Sequence, residues 1–263
     1  MGKLDNKVSI ITGSTRGIGY EIARRFAQEG SKVMICSRKE HHVTAAVEKL
    51  RGEGLEVSGV VCHVGKEEHR ENLFKQTLDK YGQLDCLVVS ADINPYVGPF
   101  METPESMWDR IFDINVKSCF LFARHALSHL IKTQGCMLFN SSVAAQFPSP
   151  DIGAYSISKA ALNSLVGTLG IVAGVHNVRV NGIMPGVIDT EFGTVLTTGP
   201  GAVNRKKGSM LGRFGTPEDC AGVALFLCSS DASYVSGEMV KVCGGRTNGA
   251  SMGRMGDKPQ SKL

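Results

Sequence analysis

The chain of 263 residues predicts a doubly wound α/β domain, with parallel strands in the middle and helices on both faces. Short β-branched runs alternate with amphipathic stretches along most of its length, and alternation at this spacing implies strands joined by crossover helices. Hydrophobic residues make up 42% and charged residues 21%, a globular balance that excludes global disorder. A chain this long buries about three quarters of its unfolded surface, enough for a generous core without disulfide staples. No linker-like shift in composition and no internal repeat interrupts it, so one domain over residues 1–245 is expected, followed by a Gly-rich, flexible tail over 246–263.

The elements follow in order. A first strand at 8–12 runs into a glycine turn and a helix at 17–29, and a second strand at 32–36 precedes a helix at 40–51. A third strand at 57–62 leads to a helix at 66–80, and a fourth at 86–89 to one long helix at 104–131. A fifth strand at 137–140 precedes a helix at 154–173, and a sixth falls at 179–183. A helix at 217–229 and a last strand at 239–243 close the pattern. Residues 187–215 break it: they are Gly- and Thr-rich with weak periodicity, as suits a mobile flap over a site.

Several function classes are disfavoured. The net charge is +4 with no long basic run, too mild for nucleic acid. The weakly polar stretch 164–175 is short and Gly-broken, so no membrane span is expected. The opening MGKLDN lacks the apolar region of a secretory signal, and Asn6 stands where myristoylation wants Ser or Thr. Eight scattered Cys without a C-x-x-C pair read as small buried hydrophobes in a reducing compartment. His125 and His129 stand four apart on a helix without a third ligand, so no metal is expected and an inter-subunit helix face is the better account.

The first strand ends in Thr12-Gly13-Ser14-Thr15-Arg16-Gly17-Ile18-Gly19 and enters a helix directly. Glycines there let the backbone turn sharply and approach a pyrophosphate, while the helix start offers N–H donors and positive dipole. An acidic residue after the second strand would hold a ribose 2′-hydroxyl; this chain has Cys36-Ser37-Arg38-Lys39 instead. Arg16 and Arg38 are placed to clamp a 2′-phosphate from two sides, which favours NADP(H) over NAD(H).

Tyr155 and Lys159 stand one helical turn apart, and Ser142 ends a strand. A nearby ammonium favours the phenolate, although bringing a tyrosine from about 10 towards 7 takes roughly 4 kcal/mol, a large demand on one lysine. A tyrosine tuned in this way gives a proton to a carbonyl oxygen as hydride arrives at carbon, and a serine hydroxyl orients that oxygen. Spacing alone proves little, because random placement yields about 0.55 Tyr-x-x-x-basic pairs and Tyr20 with Arg24 supplies a decoy behind the glycine turn.

The glycine turn, Asn115 in DINVK, Ser142, YSISK (155–159), MPG (184–186), GRFGTPED (212–219) and Cys243-Gly244-Gly245 together resemble a short-chain dehydrogenase/reductase of the tyrosine-dependent type. More narrowly, SRK, VCHVGK (61–66), INPYVG (93–98), EDCAG and DASYVSGE are similar to the peroxisomal NADPH-dependent carbonyl and retinal reductase subgroup (member-4-like), and a member-2-like subgroup shares several of these strings. The resemblance implies a Rossmann-type, seven-stranded parallel sheet of order 3-2-1-4-5-6-7 and a homotetramer formed through the helices after strands four and five. It implies that Tyr155 is the general acid/base, Lys159 its modulator and ribose ligand, Ser142 the carbonyl orienter and Asn115 the holder of a relay water. Cofactor contacts are implied for Gly13, Ser14, Arg16, Gly17, Ile18, Gly19, Ser37, Arg38 and Lys39, and for His63 and Val64 on the adenine side. Ser90, Ala91, Pro185, Gly186, Ile188 and Thr190 complete that set.

One departure stands out. Where the family has Asn-Asn-Ala-Gly, or Ser-Asn-Ala-Ala in the subgroup, this chain has Val89-Ser90-Ala91-Asp92. Ser90 can still donate across the sheet; Asp92 is expected to weaken NADPH binding by repulsion and desolvation unless it turns to solvent or pairs with a base.

The substrate segments are 93–100, 143–152 and 187–211, which supply Pro95, Tyr96, Phe100, Phe147 and Phe192 as an apolar lining. The expected reaction is NADPH-dependent reduction of ketones and aldehydes, including aromatic ketones, vicinal dicarbonyls and retinal-like substrates. A rival is a dinucleotide-binding interaction protein spoiled by Asp92, and a third reading runs the chemistry backwards as alcohol oxidation. The chain ends Ser261-Lys262-Leu263, an address read by the peroxisomal import receptor and met by chance in roughly one of 8,000 random chains.

Overall fold

The strand β1 (Val8–Thr12) is buried from end to end and lies at the centre of a seven-stranded sheet. The computed structural model describes residues 2–198, 206 and 208–245. Beside β1 run β2 (Lys32–Ser37) and β3 (Val57–Val61) on one side, and β4 (Cys86–Val89), β5 (Cys136–Asn140), β6 (Arg179–Pro185) and β7 (Met239–Val242) on the other. The order is 3-2-1-4-5-6-7 and every pairing is parallel, as expected. Thr12 lies opposite Cys36 on β2 and Val89 on β4, so these strands end almost level where the chain order reverses. In open α/β sheets that carboxyl edge is where ligands bind.

Alternate side chains of a strand point to opposite faces, and here each face has its own core. Ile10, Met34, Leu87, Met137 and Val180 pack on one side; Ile11, Val33, Ile35, Val88 and Leu138 pack on the other. The second core is closed by Ile22 and Phe26 of α1 (Gly17–Gln28) and by Leu50 of α2 (Glu40–Gly52). The first receives Phe74 from α3 (Glu67–Tyr81). Each such apolar side chain, fully buried, contributes roughly 1.5–3 kcal/mol of transfer free energy.

The long helix expected at 104–131 is not one helix. It divides into α4 (Glu105–Phe112), a π-helical turn (Asp113–Lys117) and α5 (Ser118–Thr133). The wider turn is supported locally, because Ser118 Oγ donates to the Ile114 carbonyl at 2.6 Å and Cys119 Sγ to the Asn115 carbonyl at 3.2 Å. Continuous amphipathic periodicity does not reveal one extra residue per turn, and such π-turns recur at functional sites. His125 and His129 stack on Phe74 at centroid separations of 4.5 and 6.2 Å. Both histidines remain partly exposed on α5.

The helix α6 (Gly153–Gly174) packs on the β5–β6 side of the first core through Leu162 and Val166. The helical stretch Pro150–Gly174 contains an 18-residue window of mean hydropathy 1.3 and is long and apolar enough to cross a membrane by length and composition, which corrects the expectation that no stretch is. This helix carries Tyr155 and a buried Lys159, and both face into the fold. The flap holds a short α7 (Thr194–Thr198) and is pinned at its ends by a parallel bridge between Ile188 and Gly215. After it, α8 (Pro217–Cys228) packs against α1. Ser261, Lys262 and Leu263, and the whole tail over 246–263, lie outside the described residues.

Candidate active site

The glycine turn leaves β1 in a conformation that side chains resist: Gly13 has φ +62 and Gly17 φ +59. A Cβ on Gly13 would stand 2.8 Å from the Ala91 Cα, so the loop after β4 leaves no room for one. Beyond the turn, α1 begins without a side-chain cap and without an acidic residue in its first turn. Its N–H groups are therefore uncommitted and its positive end is not neutralised, which fits the pyrophosphate of a dinucleotide.

Ser14 is a correction. Its side chain is fully buried, donates to the Ile11 carbonyl at 2.5 Å and accepts from the Cys36 amide at 3.0 Å. It ties the turn to β2 and presents no hydroxyl to a ligand. Thr12 is the residue that sequence reasoning missed: its Oγ1 accepts from the amides of Ser90 (3.0 Å) and Ala91 (3.1 Å), which locks the loop after β4 onto the turn. Its position as the last strand residue before Gly13 was the available signal.

Ile18 packs partly buried on the second core, and Gly19 lies under the Gly13 carbonyl without space for a Cβ. Ser37 is half-buried at the end of β2, and Arg38 and Lys39 are exposed after it. Arg16, which is expected to approach the same group, pairs with Glu191 of the flap at 2.5 Å. Val64 is buried after β3, its carbonyl held by Arg70 at 2.8 Å. His63 beside it accepts from the Gly65 amide at 3.1 Å, and burial, followed by the charge of Arg38, lowers its affinity for a proton.

The carboxyl ends of the later strands complete the edge. Asn140 donates to Ser90 Oγ at 3.2 Å, so Ser90 accepts across the sheet where it was expected to donate. Pro185 ends β6, Gly186 donates to the Val242 carbonyl at 2.9 Å, and Ile188 is buried. Thr190 reaches back towards Gly17, bringing the root of the flap onto the glycine turn.

Tyr155 and Lys159 lie one turn apart on α6, 8% and 1% exposed, with the Lys159 Nζ 5.4 Å from the Tyr155 ring centroid. Lys159 donates to the Asn140 carbonyl at the end of β5, at 2.9 Å. Ser142, two residues further on, accepts from the Ala144 amide at 3.1 Å and also meets the Tyr155 phenol. Asn115 sits in the π-turn, 1% exposed; it accepts from the Ile93 amide and donates to the Ile93 carbonyl, both at 2.9 Å, and reaches Ser158 at 3.1 Å.

Asp92 enters this group. One oxygen, Oδ2, accepts from Lys159 at 2.9 Å and from the Tyr155 hydroxyl at 3.2 Å. A buried ammonium without a partner costs several kcal/mol, and here the carboxylate and the Asn140 carbonyl supply the partners. The electrostatic result runs against the expectation of an acidified phenol. Burial pushes Tyr155 well above the ordinary phenol range and the charge of Asp92 adds to the rise, while the Ser142 hydrogen bond works the other way.

Around this centre, the loop 93–99 and the segment 143–152 are joined by Gly98 N donating to the Asp151 carbonyl at 3.0 Å. Phe100 packs against Gly153, where α6 begins. Tyr96 is half-buried with its hydroxyl on the Pro99 carbonyl at 3.1 Å, and Phe147 lies beneath the Lys241 ammonium at 5.8 Å. Phe192, on the flap, is 61% exposed. A separate cavity of about 280 Å³ under the flap is lined by Val187, Leu211, Phe214, Lys241 and Cys243 and touches none of Ser142, Tyr155 or Lys159.

Two further placements concern groups outside the site. Arg24 of the decoy pair is engaged by Glu53 at 2.6 Å, and the buried Tyr20 hydroxyl has no hydrogen-bond partner among the described residues. Cys86, Cys136 and Cys228, far apart in sequence, bring their sulfurs within 4.8 Å of one another in the interior, a cluster that spacing did not reveal.

A family model described as enoyl-(acyl carrier protein) reductase matches residues 13–247. Dehydrogenase/reductase SDR family member 4 of Bos taurus is 45% identical over 244 residues, 92% of this chain and 88% of its own. The human dehydrogenase/reductase SDR family member 2, mitochondrial, is 46% identical over 92% of this chain and 87% of its own. Among solved structures, a dehydrogenase/reductase from Sinorhizobium meliloti superposes with a TM-score of 0.88 at 30% identity, covering 93% of this chain and 96% of that one. A 3-ketoacyl-(acyl-carrier-protein) reductase from Brucella melitensis, complexed with NADH, has a TM-score of 0.86 at 29% identity over 92% and 99%. With its glycine turn, its Tyr155–Lys159 helix and these likenesses along nearly its whole length, the chain belongs to the short-chain dehydrogenase/reductase family of nicotinamide-dinucleotide-dependent oxidoreductases.

Proposed function

We propose that the chain reduces ketones and aldehydes with NADPH, with Tyr155 as proton donor. The observation that carries this reading is the meeting of the Tyr155 phenol, the Ser142 hydroxyl and the Lys159 ammonium at the same sheet edge as the glycine turn. Gly13, Gly17, Gly19 and the start of α1 hold the pyrophosphate; Arg16, Ser37, Arg38 and Lys39 take the 2′-phosphate, with no carboxylate at the end of β2 to repel it. His63 and Val64 flank the adenine, and Ala91, Pro185, Gly186, Ile188 and Thr190 flank the nicotinamide half. When bound, the reduced nicotinamide supplies hydride to the carbonyl carbon.

The chain's own residues do the rest. Ser142 orients the carbonyl oxygen, Tyr155 gives that oxygen its proton, and Lys159 stabilises the phenolate left behind. Asn115 fixes the backbone of Ile93 and so holds the loop that borders the substrate. Pro95, Tyr96, Phe100 and Phe147 offer apolar surface for aromatic ketones, vicinal dicarbonyls and retinal-like carbonyls.

The carboxylate of Asp92 on Lys159 favours one rival, a dinucleotide-binding protein with weakened catalysis. A single assay decides: consumption of NADPH and NADH against a carbonyl panel, with Tyr155→Phe as control. The expected outcome is NADPH-preferring turnover that falls at least about a hundredfold in Tyr155→Phe; no turnover on any carbonyl rejects the reading.

The apolar outer faces of α5 and α6 support assembly as a homotetramer, and the terminal Ser261-Lys262-Leu263 supports delivery to peroxisomes. A fluorescent fusion that keeps the free carboxyl terminus should be punctate with a peroxisomal marker, and a diffuse cytosolic pattern rejects that address.

A further inference from the structure

We propose that Asp92, held between Lys159 and Tyr155, is a positioning residue that keeps Tyr155 a proton donor into the alkaline range. The inference rests on the carbonyl-reductase reading and deepens it. The geometry is specific: a single carboxylate oxygen accepts from the ammonium at 2.9 Å and from the phenol at 3.2 Å, and Asp92 itself is only 18% exposed. In the family pattern this position carries a small neutral residue, and the lysine then acts on the tyrosine unopposed. In this chain a carboxylate takes up the lysine's charge at close range and stands against the formation of a second anion 3.2 Å away.

Three elements place ionisable groups around the phenol among the described residues. Lys159 comes from α6, Asp92 from the loop after β4, and Cys119 from α5 is close enough for both charges to act on it. Burial pushes the Cys119 thiol up to about 12, so it stays neutral and leaves the balance to the Lys159–Asp92 pair.

The consequence follows from the proton count. In reduction the phenol O–H breaks, its proton joins the carbonyl oxygen as hydride joins the carbon, and a phenolate remains. In the reverse direction that phenolate must exist beforehand to take the proton of the alcohol. One ionisation therefore appears twice, as the alkaline limb of reduction and as the rising limb of oxidation. Asp92 moves both limbs to higher pH without altering the overall equilibrium.

Asp92→Asn is the informative variant, because its amide oxygen can still accept from Lys159 and spares the buried ammonium. Two readouts are taken on the full-length protein. Tyrosinate absorbance is titrated without cofactor, with Tyr155→Phe subtracted to isolate the one phenol; kcat/KM for reduction is then profiled against pH. Both should shift by at least about one unit to lower pH in Asp92→Asn, a tenfold change in the ionisation constant, and Asp92→Glu should recover part of the shift. An unmoved Tyr155 titration overturns the proposal, as does a variant that binds NADPH more tightly with its alkaline limb in place. If the protein reduces no carbonyl at all, the proposed function fails, yet the cofactor-free titration still tests Asp92 against Tyr155.

Discussion

Arg38 stands exposed after β2 with Lys39 beside it and no carboxylate at the strand end, and in the proposed function this pair takes the 2′-phosphate of NADPH. Charge-assisted hydrogen bonds of this kind are worth about 1.5–3 kcal/mol, or roughly 10- to 150-fold in affinity. Arg38→Glu should therefore raise the KM for NADPH at least about tenfold and lower that for NADH, read from steady-state kinetics with both coenzymes; an unchanged preference would remove Arg38 from the 2′-phosphate site. At this scale the sequence was legible in residue type and blind to direction. Asp92 was visible as an oddity because a carboxylate stood where relatives carry Ala or Gly, but only the folded loop shows that it lands on Lys159. Ser14 and Thr12 exchange roles for the same reason, since a short hydroxyl beside a glycine turn can face the ligand or the neighbouring strand. Spacing does not say which.

The entry to α8 shows how one element is held. Arg213 grips both oxygens of Asp219, at 2.6 and 2.9 Å, and Asp219 Oδ2 accepts from the Thr216 amide at 2.8 Å, capping the first turn of the helix. The Arg213 hydrogen bonds hold the Asp219 carboxyl down at about 2, against an ordinary 3.8. A depressed carboxyl contributes stability above its unfolded value and loses it as pH falls through the folded one, here between about 4 and about 2. Asp219→Ala should cost about 1 kcal/mol at neutral pH, a fall in Tm of about 2–4 °C. The gap from the parent should close on acidification, which thermal denaturation across that range would check. Strand and helix placement were legible because the alternation of short β-branched runs with amphipathic stretches marks both, whereas the strand order came from the family resemblance alone. The π-turn at Asp113–Lys117 was not legible, because one added residue leaves the apolar stripe intact and shows only in where carbonyls find donors.

Over the whole molecule, the two cores account for the sheet's faces but leave apolar surface on the outer helices. Phe120 (44% exposed), Ile157 (41%), Ile171 (77%), Val172 (50%) and Val175 (78%) lie on or just beyond α5 and α6, and only 28% of the apolar window of α6 is buried within the chain. Light scattering should return four times the 28.2 kDa chain mass, and Ile171→Lys with Val175→Lys should reduce it; a monomer in the parent protein rejects the tetramer. Seven of the eight cysteines are buried and Cys243 alone is partly open. A water-soluble disulfide reagent should thus label a single sulfur promptly and wait for the sheet to come apart before reaching the rest. The interior thiols thereby become a clock for how often this protein breathes open, and prolonged oxidative exposure would register as slow, all-or-none loss of fold.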